Sequence, residues 1–93
     1  MFETSNDFLG ASFACKNNTC EASGDFRIDE GRITNINIAG SFKKNDQRYA
    51  FTANYDNKGA VNIYGVTEIS IIEEVATEVK SIIEEIGNYA NVD

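Results

Sequence analysis

At 93 residues, with 42% hydrophobic and 25% charged side chains, the chain fits a single globular domain spanning 1–93, of a size that buries about two thirds of its unfolded surface. Its net charge of −7 argues against direct DNA or RNA binding, which draws its affinity from Lys and Arg neutralising phosphates. The absence of histidine removes the commonest general base and any Ser-His-Asp or Cys-His arrangement, so the chain reads as a non-enzyme.

The N-terminus, Met1 to Asn6, lacks the basic and apolar regions of a signal peptide, and no run approaches the roughly 18 apolar residues of a membrane span. A cytoplasmic protein with no membrane contact is therefore expected if Met1 is the natural start, and a secreted or periplasmic one if Met1 replaced a cleaved leader.

A two-residue alternation of apolar and polar side chains then predicts five strands, near 8–15, 20–28, 33–42, 48–55 and 60–66. Turn residues separate them. Asn17-Asn18 suits a two-residue hairpin turn and would set Cys15 opposite Cys20, Phe13 opposite Ala22 and Leu9 opposite Phe26. Asp29-Glu30-Gly31 and Asn57-Lys58-Gly59 each carry Gly third, as a three-residue loop with a left-handed position requires. The third turn is Asn45-Asp46.

These registers gather one apolar face. It comprises Leu9, Ala11, Phe13 and Cys15, Cys20, Ala22, Phe26 and Ile28, Ile36, Ile38 and Phe42, then Tyr49, Phe51, Ala53, Tyr55, Val61 and Ile63. Ala11, Ala22, Gly24, Gly40, Ala53 and Gly65 keep its middle low enough to receive a helix. The aromatics on it read as core, with a ligand pocket as the lesser alternative.

That helix is predicted over about 67–86. Thr67 is a candidate N-cap with Glu68 in the first turn, and Gly87 is the expected stop. Ile72, Val75, Val79, Ile82 and Ile86 recur at helical spacing, widened by Ile69, Ile71, Ala76 and Ile83. The expected fold is thus α+β: a five-stranded antiparallel meander with one long amphipathic C-terminal helix packed on its concave apolar face. A coiled-coil dimer is less favoured, because the stripe is under three heptads long and an apolar sheet face is at hand.

Charge is uneven along the chain. Residues 67–93 hold one basic and seven acidic residues, a net −6 of the total −7. Glu73, Glu74, Glu78, Glu84 and Glu85 fall opposite the apolar stripe, with Lys80 at its margin. The stripe reads either as a solvated face that keeps the protein soluble or as a docking surface for a basic protein partner, including a groove that otherwise holds nucleic acid. The second reading makes the chain a small acidic protein-binding module, an inhibitor or adaptor acting by occlusion.

Two alternatives stand beside it. A homodimer or structural subunit would use the last strand, where Ala60, Tyr64 and Val66 form an apolar patch on an otherwise polar outer face. An extracellular domain would be stapled by a disulfide between Cys15 and Cys20. No metal is expected at those cysteines, since there is no His and no second Cys pair, and no cofactor motif is present. Asn17-Asn18-Thr19 matches a glycosylation acceptor, a triplet common by chance.

Overall fold

A computed structural model describes residues 2–7, 10–29, 32–56 and 60–90. The strands are β1 (Phe2–Asp7), β2 (Gly10–Lys16), β3 (Cys20–Asp29), β4 (Arg32–Lys44), β5 (Gln47–Tyr55) and β6 (Val61–Tyr64), followed by the helix α1 (Ile69–Ala90). They form one antiparallel sheet in chain order, β1-β2-β3-β4-β5-β6. The α+β meander and C-terminal helix are as the sequence predicts. The five predicted strands are all present, and a sixth, β1, is added by pairing Phe2–Asp7 with β2 from Phe2↔Cys15 to Asp7↔Gly10. Glu3, Ser5, Asn6 and Asp7 are weak strand formers, so this pairing rests on β2 as a template rather than on local preference.

The first predicted register is corrected by two residues. Cys15 pairs with Ala22, Phe13 with Gly24 and Ala11 with Phe26, which centres the turn on Asn18-Thr19. The cause is the Asn17 side chain. Its Oδ1 accepts hydrogen bonds from the Thr19 and Cys20 main-chain N–H groups, both at 2.8 Å, and Asn17 N–H donates to the Cys20 carbonyl at 2.9 Å. A side-chain acceptor thereby replaces the main-chain carbonyl that would otherwise close the turn. Because the shift is two residues and not one, every side chain keeps its face.

The Asn45-Asp46 turn is as predicted. Both residues have positive φ, 53° and 64°, the type I′ geometry that follows the twist of its strands. The loop residues Glu30 and Gly31, Asn57, Lys58 and Gly59, and the expected core residue Leu9 lie outside the described residues. The ladder ends at Asp29↔Arg32, leaving two residues between β3 and β4 instead of the three predicted, and an irregularity between Arg27 and Ile28 absorbs the odd residue.

The core is the predicted face closed by the helix. Ala11, Phe13, Cys20, Ala22, Phe26, Ile36, Ile38, Phe42, Phe51 and Ala53 of the sheet are buried against Ile71, Val75, Val79, Ile82 and Ile86 of α1. Ile71 takes the core position expected of Ile72, which is half-buried, while Ile69 stands in solvent. At about 1.5–3 kcal/mol per buried aliphatic side chain, these five contribute roughly 10 kcal/mol gross, comparable to the net stability of a whole small domain. Helix docking is therefore a condition of folding. Gly40 permits the close approach of β3 to β4, since a Cβ there would run into the Glu21 carbonyl and Ala22.

Both predicted helix ends move. Ile72 N–H bonds the Glu68 carbonyl at 2.9 Å, which puts the N-cap at Glu68, one residue past Thr67. Gly87 does not stop the helix, which runs on to Ala90. A glycine costs only about 1 kcal/mol of helix propensity, less than the burial of the adjacent Ile82 and Ile86 provides.

Candidate protein-binding surface

The five glutamates singled out by the sequence divide into two sets. Helical geometry puts Glu74, Glu78 and Glu85 along one flank of α1, next to the buried stripe, and Glu73 and Glu84 on the side opposite it. Glu74 and Glu78 are half-buried, whereas Glu73, Glu84 and Glu85 are exposed.

The flank meets the strand tips. Lys44, at the end of β4, places Nζ 2.7 Å from Glu74 Oε2. Glu78 faces the β2–β3 turn, where Asn17 Nδ2 approaches Oε2 at 3.5 Å and Thr19 Oγ1 approaches Oε1 at 3.4 Å. The Thr19 hydroxyl has a nearer acceptor in Asn17 Oδ1, at 3.0 Å, so its contact with Glu78 is the weaker one. Glu74 and Glu78 thus serve partly to seat the helix, a role that a helical wheel does not reveal because it depends on where β4 and the β2–β3 turn end. Among the described residues, no Lys or Arg forms a salt bridge with Glu73, Glu84 or Glu85.

The two cysteines lie under the same flank. Both are free thiols, Cys20 buried and Cys15 half-buried. The expected Cys15–Cys20 opposition is replaced by a diagonal one, since Cys15 faces Ala22, and diagonal neighbours stand about 7–8 Å apart, outside disulfide geometry. Burial pushes the Cys20 thiol from 9.0 to about 11, reinforced by the charges of Glu78, Cys15 and Glu21. Burial likewise raises Cys15. Neither is an activated nucleophile.

The convex face of the sheet is a polar lattice. Asn37 Nδ2 donates to Asp25 Oδ1 at 3.1 Å, Asn54 Nδ2 to Asn37 Oδ1 at 2.7 Å, and Arg48 Nη1 to Ser41 Oγ at 3.1 Å. Lys16 and Glu21 pair at 3.3 Å, beside a shallow open depression of about 390 Å³ lined by Ser23, Ala39, Gly40 and Ser41. Of the predicted patch at the last strand, Ala60 and Tyr64 are exposed. Val66 is not part of it, because Gly65, at φ 94°, breaks the strand alternation and Val66 packs against the core.

Among the described residues no group of three or more Cys, Asp or Glu side chains converges as a metal cluster, and no helix is long and apolar enough to cross a membrane. Comparison with protein-family models, curated proteins and solved structures finds no match to this chain.

Proposed function

We propose that this chain is a small non-enzymatic protein-binding module whose C-terminal helix docks on a basic surface of a partner protein and occludes it. The observation that carries the reading is the division of α1. Its central apolar stripe, Ile71, Val75, Val79, Ile82 and Ile86, is buried against the sheet, while Glu73, Glu84 and Glu85 stand exposed on a helix whose sole cation is Lys80. Exposed carboxylates on a rigid, core-anchored helix present negative charge at low entropic cost and speed encounter with a cationic site.

A fluorescent Lys- and Arg-rich peptide is a suitable first probe, titrated by anisotropy at low and high salt. Binding that falls with salt, and falls further in Glu73→Gln/Glu84→Gln/Glu85→Gln than in Asp25→Asn/Asp29→Asn/Asp46→Asn, supports the helix as the docking surface. The two triple variants have the same net charge. Equal losses in both would reduce the interaction to general charge attraction and overturn the assignment.

A further inference from the structure

We propose that β6 is a self-pairing edge, through which two copies of this chain join antiparallel about a two-fold axis at Asn62 and extend the meander into one continuous sheet. Among the described residues, β1 and β6 are the two edges of the sheet. Along the chain, β1 carries Glu3 and Asp7, whereas the segment from Ala60 to Thr67, which contains β6, holds no charged residue. Charges are the usual device that keeps strand edges apart.

Net charge gives that difference its weight. A two-fold contact sets each patch against its own copy, so on a chain of charge −7 an acidic surface repels itself and only a neutral one closes. The two exposed large apolar side chains among the described residues are Tyr64, 58% exposed, and Ile69, 75% exposed. One is on β6 and the other opens the helix that follows it.

The register follows from β5. Asn62 pairs with Asn54 and Tyr64 with Thr52 on the outer face, while Val61 and Ile63 pair with Tyr55 and Ala53 on the inner one. Directly opposed residues share a face, so an axis at Asn62 sets Tyr64 over Ala60 of the second copy and Val61 against its Ile63. Large meets small outside, and two β-branched residues meet inside. The polar row in which Asn54 donates to Asn37 and Asn37 to the Asp25 carboxylate continues in register to Asn62 on the outer strand, where two copies would set one Asn62 amide against the other. That match favours a second copy over an unrelated extended peptide, whose side chains would have to reproduce it.

This inference is independent of the proposed function, and salt separates the two. Screening weakens docking on a basic partner but strengthens pairing of two acidic chains. Sedimentation equilibrium over about a hundred-fold range of concentration should show a monomer–dimer equilibrium that tightens as salt rises. Asn62→Lys sets two like charges directly opposite each other and should weaken the dimer by about two- to five-fold, measured at high salt, where the change in net charge matters least. Tyr64→Ser should weaken it as well, and circular dichroism checks that both variants fold. A monomer at every concentration and salt, or a dimer that both variants leave intact, would overturn the proposal.

Discussion

Lys44 Nζ and Glu74 Oε2 meet at 2.7 Å, tying the tip of the β4–β5 hairpin to the second turn of α1. The two side chains are each roughly two-fifths exposed, so the pair contributes about 0.5 kcal/mol. Its larger effect is on charge. Glu74 is already neutralised, so Glu74→Gln should lower stability by less than about 1 kcal/mol in urea titration and leave binding to a basic peptide nearly unchanged. Glu84→Gln, at an exposed site outside any salt bridge among the described residues, should weaken that binding about two- to five-fold at low salt without changing the urea midpoint. The reverse order of effects would place the docking surface on the flank.

Asn17 fixes the β2–β3 register through two side-chain to main-chain hydrogen bonds, to the N–H groups of Thr19 and Cys20. Asn17→Ala leaves both N–H groups without that acceptor, at a cost of about 1–2 kcal/mol. Asn18→Ala, one position on, should be nearly neutral. Denaturant midpoints of the two variants compare a capped turn with a merely polar one, and equal midpoints would remove Asn17 from that role.

The same residue shows what alternation reveals and what it leaves out. The two-residue period assigns faces, and Phe13, Cys20, Phe26, Ile36 and Phe51 are all buried as it implies. Partners depend on where a turn closes, and Asn17-Asn18 is an equally good turn on residue type alone. Only a side chain folding back on its own loop decides between the two. Phe2–Asp7 has no period to read, because Phe2 is its only apolar side chain, and its place in the sheet comes from pairing with β2. The flank role of Glu74 was hidden for a related reason: it depends on β4 reaching Lys44, which helix periodicity does not encode.

Two glycines should respond to alanine with opposite signs. Gly87 lies within α1, and a Cβ there meets nothing within 4 Å, so Gly87→Ala should stabilise the protein by up to about 1 kcal/mol through helix propensity and a stiffer unfolded chain. At Gly24 a Cβ would collide with the Asn37 main-chain carbonyl. Gly24→Ala must push β3 from β4 and should cost about 1–3 kcal/mol or more. Thermal midpoints of the two variants should bracket that of the parent protein. A rise in both would mean that the β3–β4 contact yields easily.

Cys20 should make the fold sensitive to alkali. Its thiol is raised from 9.0 to about 11, so the folded chain holds this proton more tightly than the unfolded one. Below pH 9 both states keep it, and the thiol adds no slope. Between pH 9 and about 11 the unfolded state ionises first, and stability falls by about 1–2 kcal/mol before levelling off. Lys and Tyr titrate in the same range, so the informative quantity is the difference between the parent protein and Cys20→Ala. Removing the buried sulfur makes the variant less stable at neutral pH, and the gap should narrow from pH 9 to pH 11 as the parent loses its advantage. A constant gap in urea titrations would show that the thiol ionises equally in both states, and that neither burial nor Glu78 holds its proton.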